Sequence, residues 1–443
     1  MKKSVMGIGF LLAGLSLAVA QPSPAIMPLD KAVQLALQNN KTIKLANSRT
    51  QAAEARSQEA KDRGLPQANA SLAYSRYSLT GPFAFGQGDD GKPLFGIPAG
   101  AFNATIGGAT VSKELFGGFA EKTAEKSAQL LAKASHLDAQ RNRSELVYTV
   151  TDAYYNIVKL ARSIGVIEQN IRQFDERERE AQSLQREGVI TANEVLKIQL
   201  QRNNLNLSRL QVEKARQTAL YNFNLLVGLP ENQQIAIDTL LTNPDAVTEP
   251  LNALLSRAVQ IRPEVEANTL RVQSAEQLLR NTKSVMYPHL GVSAGYNYIN
   301  PSARLIPEGN SFVSAWNVGA GITYNIGSLY NLKGRLNSAQ NAIDQATIEG
   351  QQQNDQIRSE VVTAYNNYQL ALEQQNVIRT AVGQAQENYR LTESRFRNGL
   401  VGSTDLLEAD SFLLQAQLNV INATVDAQLA YQRLLKATGT NLN

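Results

Sequence analysis

The sequence predicts a mainly α-helical protein with four β-strands per chain, built from two copies of one long unit. Three observations lead to this fold class. The chain repeats itself once, proline-free stretches are long enough for helical rods, and two pairs of short segments alternate apolar with polar residues. A single long duplication predicts an internal twofold repeat within one domain, not a row of short modules.

The first residues have the pattern of a secretory signal. Positions 1–20 combine a positive start, an apolar stretch and a small-residue cleavage site before Gln21. The alternative is a transmembrane anchor, but the stretch is short and no charged stop follows it. No later segment has eighteen consecutive apolar residues, so any membrane contact must use β-strands.

Composition and single residue types exclude several classes of protein. With 43% hydrophobic and 19% charged residues, the chain can bury a large core. A net charge of +4 without a basic stripe predicts no nucleic-acid partner. The absence of cysteine excludes disulfides, thiol chemistry and a lipidated N-terminal cysteine. His136 and His289 stand alone, so we expect no metal site, no cofactor and no enzyme.

The two copies align at two offsets, separated by a loop that is longer in the first copy. Leu29 aligns with Leu251, an offset of 222, and Gly188 aligns with Gly399, an offset of 211. Each copy has the pattern of a helix, two strands and two long helices. We therefore predict a signal peptide at 1–20, a first repeat at 21–227, a linker or equatorial segment at 228–250 and a second repeat at 251–443.

Long helices are predicted at about 118–187, 190–226, 329–398 and 401–438, with a shorter helix at 29–63 opening the first copy. The longest would span roughly 100 Å, which is too long for the interior of a compact domain. Apolar residues at alternating steps of four and three, such as Val150 and Ile157, give each copy a coiled-coil seam. The remaining faces are polar and suit either a water-filled channel or ordinary solvent.

Strands are predicted at about 67–78, 104–115, 289–299 and 312–326. Trp316, Ile322 and Tyr324 alternate with small or polar residues, as in strands with lipid on one side and water on the other. The alternative is a half-buried strand of a soluble sheet. Because open sheet edges are unsatisfied in lipid, four strands per chain must combine with those of other chains. Two chains give a filled eight-stranded barrel, whereas three or four leave room for a pore.

This organisation resembles the TolC family of outer-membrane efflux proteins over essentially the whole mature chain. The motifs that carry the resemblance are Leu115-Phe116-Gly117-Gly118, Gly188 with Glu194-Val195-Leu196, Gly399 with Asp405-Leu406-Leu407, and Val227-Gly228-Leu229-Pro230. The resemblance implies a mainly α fold with transmembrane β structure. In a TolC-like homotrimer, a twelve-stranded β-barrel in the outer membrane continues into a twelve-helix α-barrel in the periplasm.

The resemblance also implies a function and partners. An unlipidated chain of this kind is expected to be the exit duct of a tripartite efflux or type I secretion system, conducting substrates passively from the periplasm to the exterior. It would contact outer-membrane lipid, a periplasmic adaptor (membrane fusion) protein and an inner-membrane pump of the RND, ABC or MFS type. The alternatives are a periplasmic coiled-coil adaptor or scaffold and, more remotely, a soluble periplasmic enzyme.

Glycines follow the two longest helices and predict tight helix–helix turns. The resemblance implies that an adaptor docks at these turns, whose residues are Arg186, Gly188, Val189, Arg397, Gly399 and Leu400.

Acidic residues follow the second turn. Asp405 and Glu408 share one helical face, and Glu194 is the first-copy counterpart of Asp405. The resemblance implies that such acids ring the periplasmic entrance and favour cations; the alternative is a solvated pair stabilised by the helix dipole. Phe396 and Val401 replace a latching tyrosine and an arginine of the family. We therefore expect closure to rest more on helix packing than on hydrogen bonds.

The loops at 81–100 and 300–311 are expected to face the cell exterior. Trp316, Tyr324, Tyr296 and Tyr298 are candidates for an aromatic belt at the membrane interface, with buried core aromatics as the alternative.

Overall fold

The computed structural model describes residues 26–90, 93–97, 99–239, 247–301 and 313–440. The predicted signal peptide at 1–20 and most of the predicted loop at 300–311 lie outside the described residues. The described helices are α1 (Leu29–Asn39), α2 (Lys41–Asp62), α3 (Ala120–Arg186), α4 (Ala192–Val227), α5 (Leu251–Ile261), α6 (Pro263–Lys283), α7 (Leu332–Arg397) and α8 (Ser403–Ala437). The same order of short, medium, long and medium helices therefore occurs in each copy.

The prediction of one continuous helix at 29–63 is wrong, because the structure divides this segment into two helices at Asn40. This residue has an extended backbone (φ −62°, ψ 134°), and its side chain accepts a hydrogen bond from the backbone N–H of Thr42 at 2.7 Å, which caps α2. Arg262 divides the second copy in the same way (φ −64°, ψ 128°). There the cause is Pro263, since proline disfavours a helical conformation in the residue before it.

The strands are β1 (Ile26–Met27), β2 (Gln67–Leu79), β3 (Phe83–Gln87), β4 (Pro93–Ile97), β5 (Gly100–Gly117), β6 (Ala236–Ile237), β7 (His289–Pro301) and β8 (Val313–Thr323). Four of them form an antiparallel sheet in the order β2-β5-β7-β8, so each copy contributes two neighbouring strands. A short parallel pair joins β1 to β6.

The segment at 81–100 is not the loop that its Gly and Pro content predicts. It contains a hairpin in which Phe83 on β3 pairs with Ile97 on β4. Asp89 and Asp90 lie in the turn between the two strands. Gly and Pro are common turn signals, but here Gly86, Pro93 and Gly96 lie within the two short strands.

The register of the four-stranded sheet places apolar side chains on one face. Trp316 pairs with Tyr296, which pairs with Ala109, which in turn pairs with Ala70, so these four residues form one row across the sheet. The large, exposed side chains on this face are Leu72, Tyr74, Val111, Val292, Tyr296, Trp316, Val318 and Ile322. The opposite face carries mostly small or polar residues, among them Ser71, Gly108, Gly295, Asn317 and Gly319. The alternation predicted for β8, and more weakly for β7, therefore extends to β2 and β5, except at one end, where the exposed Tyr77, Ile106 and Ile299 lie on the opposite face.

A sharp corner connects the sheet to α3. A β-bulge lies between Glu114 and Phe116 near the end of β5, and the chain then turns through Gly118 (φ +62°) and Phe119 (φ +68°). A Cβ atom on Gly118 would lie 2.5 Å from the backbone oxygen of Ser284. The turn therefore needs glycine for its left-handed conformation, and also because the backbone at Ser284 approaches it closely.

Contacts divide the chain into two compact units. The first, called the helical unit below, comprises the described residues within Met1–Asn39, Thr149–Pro244 and Leu372–Leu429. The second, the sheet unit, comprises Asn40–Tyr148, Asp245–Ala371 and Ala430–Asn443.

Each unit has its own core, supplied largely by the predicted seams. In the helical unit, Phe174 is fully buried and clusters with Ala181, Val195, Ile198 and Leu205. In the sheet unit, the buried residues of α7 are Ile357, Val361, Ala364, Tyr368 and Ala371, at the spacing that the sequence predicts. Among the residues that the structure describes, no helix combines the length and apolar character that crossing a membrane requires.

Candidate functional site

The two predicted turns after the longest helices have the same geometry. Gly188 (φ +75°) ends α3 and Gly399 (φ +72°) ends α7. The backbone bonds that close them are Gly188 N–H to Gln185 O (3.0 Å), Val189 N–H to Leu184 O (2.9 Å), Gly399 N–H to Phe396 O (2.9 Å) and Leu400 N–H to Arg395 O (2.9 Å). This pattern is the Schellman motif, which satisfies the last carbonyls of a helix.

Both turns expose apolar side chains to solvent. Val189 is 66% exposed and Leu400 is 73% exposed, although valine and leucine are usually buried. Arg186 and Arg397 are exposed as well. The two hairpins of the helical unit, α3–α4 and α7–α8, therefore each end in an apolar residue beside a cation.

The acidic residues predicted for the entrance lie just beyond these turns. Asp405 and Glu408 are exposed in the first turns of α8, whereas Glu194 of α4 is half-buried. Glu194 pairs with Lys197 at 3.1 Å and accepts a hydrogen bond from the hydroxyl of Ser403. Two acids thus remain open to solvent, while the third connects the two hairpins.

The two positions that replace the family's latching residues are both half-buried. Phe396 is half-buried and lines a small cavity together with Ala181, Leu184, Ile198 and Leu406. Val401 is also half-buried. Charged side chains, among them Arg177, Glu180 and Glu393, line the same cavity, so the surroundings of Phe396 are mixed in polarity.

Polar contacts between the two hairpins are nevertheless present, and sequence reasoning missed them. The ammonium of Lys197 donates to the hydroxyl of Thr404 at 3.1 Å, next to the contact between Ser403 and Glu194. We expected closure of the entrance to rest more on helix packing than on hydrogen bonds, and that expectation did not consider these other residues. These residues lie more than 200 positions apart in the chain, so no local pattern predicts their meeting.

A buried charged cluster lies deeper in the helical unit. The guanidinium of Arg177 on α3 is 3.2 Å from the carboxylate of Asp410 on α8, and their side chains are only 12% and 3% exposed. Arg177 also donates to the hydroxyl of Tyr389 on α7. That hydroxyl donates to Glu393 at 3.2 Å. We call Arg177, Tyr389, Glu393 and Asp410 the three-helix cluster, because α3, α7 and α8 each contribute to it.

Burial dominates the electrostatics of this cluster. It raises the pKa of the Asp410 carboxyl above its ordinary value, although the positive charge of Arg177 opposes the shift. Burial likewise raises the pKa of the Tyr389 phenol to about 12. The guanidinium stacks on two rings, 5.0 Å from the centre of Phe174 and 5.1 Å from that of Tyr389.

Three of the four candidate belt residues lie on the apolar face of the sheet. Tyr296 and Trp316 are paired neighbours, 51% and 78% exposed. Tyr298 is half-buried on β7, and Tyr324 directly follows β8 and is exposed. High exposure of Trp316 argues against its alternative interpretation as a core aromatic.

The described residues hold no group of three or more His, Cys, Asp or Glu side chains arranged to bind a metal ion.

Comparison with known proteins identifies the family. The family profile "Outer membrane efflux protein" matches residues 32–229 and 254–440, which is most of the chain. The outer membrane efflux protein BepC of Brucella suis is 22% identical over 383 residues, covering 84% of this chain and 79% of BepC.

Solved structures of outer-membrane channels share the fold. VceC of Vibrio cholerae superposes with a TM-score of 0.77 at 18% identity, covering 93% of this chain and 96% of VceC. The CmeC channel of Campylobacter jejuni gives a TM-score of 0.78 at 18% identity, covering 99% of this chain and 93% of CmeC.

These findings agree with the resemblance to TolC-like proteins and do not favour a coiled-coil adaptor or scaffold. The family and the fold are those of channel proteins, not of enzymes. The chain belongs to the outer membrane efflux protein family, and it is an exit duct of the outer membrane.

Proposed function

We propose that three copies of this chain form one duct: a twelve-stranded barrel in the outer membrane that continues into a tunnel of helices in the periplasm. The observation that carries this proposal is the four-stranded sheet with one exposed apolar face. Its outer strands, β2 and β8, each pair on one side only among the described residues. In lipid such edges need partners, and sister chains supply them.

The size of the apolar face supports a membrane position. Arg76, which pairs with Asn103, and Lys113 bound this face at opposite ends. The ten positions from Asn103 to Lys113 on β5 span about 33 Å along the strand. A tilt of about 40° reduces this length to a height of about 25 Å, which matches the apolar band of outer-membrane barrels.

Unpartnered faces of the helical unit support assembly as well. Helix α4 carries exposed apolar side chains at heptad-like spacing: Leu196, Leu200, Leu207, Leu210, Tyr221 and Leu225. Helix α7 adds the exposed Val377 and Leu391. Because contiguous apolar surface of this kind marks an interaction site, we assign these stripes to contacts between neighbouring chains.

The turns and acids then acquire roles in the assembled duct. Asp405, Glu408 and Glu194 would repeat three times around the periplasmic entrance, with Phe396 and Val401 packing behind them. The turn residues Arg186, Gly188, Val189, Arg397, Gly399 and Leu400 would form the docking tip. The proposed partners are a periplasmic adaptor protein and an inner-membrane pump of the RND, ABC or MFS type, in a tripartite efflux or type I secretion system.

The remaining assignments follow from the same proposal. Residues 1–20 are the export signal, 21–227 and 251–443 are the two repeats, and 228–250 is the linker between them. Trp316, Tyr296, Tyr298 and Tyr324 are the proposed lipid-facing aromatic group. Tyr324 follows β8 beyond the row of Lys113 and suits the membrane interface, whereas the other three rings lie in rows between Asn103 and Lys113, within the apolar band.

Purification in detergent tests this proposal. We expect a particle whose protein mass is three times that of the chain and which produces ion-conducting pores in a planar lipid bilayer. A water-soluble monomer, or a trimer without conductance, would contradict it.

A further inference from the structure

Exposed apolar side chains form a second group beyond Lys113, where the sheet passes into the helices. Each copy contributes three of them, at positions that are equivalent under the offsets of 222 and 211. We call these six residues the junction collar: Leu65, Leu115 and Phe119 of the first copy, and Tyr287, Ile326 and Tyr330 of the second. Each is between 46% and 85% exposed. Because both copies expose large apolar residues at the same three places, the exposure belongs to the repeated unit and not to one irregular loop.

Packing joins the two halves of the junction collar into one surface. The half-buried ring of Phe116 lies edge-on to Phe119, with 5.4 Å between ring centres, and to Tyr287, with 6.3 Å. Phe119 keeps a left-handed backbone at φ +68°, which is rare for a bulky residue. The one-turn helices at Ser284–Met286 and Ile326–Leu329 approach each other within 8 Å between Cα atoms.

Four exposed cations lie within four residues of the junction collar. They are Lys122, Lys283, Lys333 and Arg335. Within the part of the chain that the structure describes, none of the four forms an ion pair with an acidic side chain. The neighbouring acids already have partners, since Glu121 pairs with Lys113 at 3.6 Å and Glu114 pairs with His289 at 3.0 Å. The surface around the junction collar is therefore positively charged.

The start of α7 concentrates this charge. Lys333 and Arg335 lie in the first four residues of the helix, whose first turn contains no acidic residue. The amino end of a helix carries a partial positive charge, which disfavours cations there. Helix α3 of the first copy instead has Glu121 in its first turn. The two cations of α7 therefore gain nothing from their own helix and suit an anion supplied from outside the chain.

We propose that the junction collar and its four cations bind anionic phospholipid of the periplasmic leaflet, with acyl chains against the collar and the phosphate group on the cations. This inference rests on the proposed function, because it requires that the sheet lies in the outer membrane. Continuity favours lipid over a protein partner, since Leu115 lies two residues beyond Lys113, at the end of the lipid-facing strand β5. Amphipathic rings with cations just outside them are the arrangement that suits an acidic headgroup layer.

Fluorescence quenching by brominated lipids tests the proposal, because Trp316 is the only tryptophan of the chain. Tyr330→Trp combined with Trp316→Phe moves the single tryptophan to the junction collar. Phe119→Trp in the same background is a second probe, in the first copy, and serves if the first variant fails to fold. The mature chain is placed in bilayers that contain phosphatidylglycerol or phosphatidylcholine, each brominated near the glycerol end of its acyl chains.

We expect phosphatidylglycerol to bind beside the tryptophan of Tyr330→Trp about fivefold more strongly than phosphatidylcholine, the factor that one cation near a membrane surface supplies. Natural Trp316, inside the apolar band, should show no preference. Adding Lys333→Gln with Arg335→Gln should remove most of the preference. The matched control is Arg358→Gln with Arg379→Gln, which removes two exposed cations of the same helix about 35 Å or more away and should keep the preference.

Equal quenching by the two lipids at the junction collar, or the same loss of preference in the control variant, would overturn the inference. Quenching of Trp316 without quenching of either collar probe would mean that a sister chain or another protein covers the collar. That result would also overturn the inference, and it would leave the proposed duct intact. Absence of quenching at Trp316 in the natural chain would instead contradict the membrane position of the sheet, and with it the proposed function.

Discussion

Gly118 offers a quantitative test of the corner between the sheet and α3. An alanine there must adopt a left-handed backbone at φ +62°, which costs about 1–2 kcal/mol. Its Cβ would also lie 2.5 Å from the backbone oxygen of Ser284, where no flexible side chain can yield. Forcing such a contact typically adds about 1–3 kcal/mol. We therefore expect Gly118→Ala to destabilise the protein by about 2–5 kcal/mol.

Gly188→Ala is the matched control. Its backbone is equally left-handed at φ +75°, but nothing lies within 4 Å of the added Cβ. Only the conformational cost of about 1–2 kcal/mol should remain. Thermal unfolding in detergent, followed by helical circular dichroism at one scan rate, should give Gly118→Ala the clearly lower midpoint. Equal midpoints for the two variants would refute the steric argument.

Three further perturbations follow from the contacts described above. Phe174→Ala should cost about 3–5 kcal/mol, because the ring is fully buried and also supports Arg177; the midpoint of thermal unfolding measures this loss. Tyr154→Phe removes the hydrogen bonds from the hydroxyl to the backbone oxygens of Met27 (3.1 Å) and Asp238 (3.2 Å). Amide hydrogen exchange should therefore accelerate at β1 and β6. Unchanged protection there would show that the hydroxyl does not hold these strands. Burial acts to raise the pKa of the Glu264 carboxyl, but hydrogen bonds and the positive charges of Arg262 and Arg141 together outweigh it and leave the pKa below its ordinary value of 4.5. The stability that the ionised Glu264 contributes is present above pH 4.5 and is lost as the pH falls through the lowered pKa. Glu264→Gln should therefore flatten the acid side of a curve of unfolding free energy against pH. An unchanged curve would contradict a lowered pKa for Glu264.

Local patterns predicted the long helices, their seams and their turns. Val150 and Val361 recur at coiled-coil spacing and are fully buried, because heptad spacing keeps one helical face against a partner. Gly188 and Gly399 ended the long helices as expected, since glycine alone adopts the left-handed conformation at little cost.

Other features depend on contacts that no local pattern records. The break at Asn40 depends on a single capping bond, and the hairpin of β3 and β4 lies in a segment whose Gly and Pro content predicts a loop. The three-helix cluster joins residues more than 200 positions apart. One signal for it was available in the sequence: Asp410 lies four positions after Leu406, so a charged and an apolar residue share one face of α8, and both are buried.

Disulfide trapping between chains tests the account's central claim most directly, because the natural sequence contains no cysteine to interfere. Ser71→Cys on β2 would be combined with a cysteine at Ala315, Asn317 or Gly319 on β8, all on the same face of the sheet. If β2 of one chain pairs with β8 of the next, at least one combination oxidises in the outer membrane and yields a covalent ladder that ends at three chains. Ser71→Cys with Val318→Cys, on opposite faces, should not crosslink. A ladder that ends at another number, or the absence of crosslinks in all three pairs, would contradict the trimeric duct.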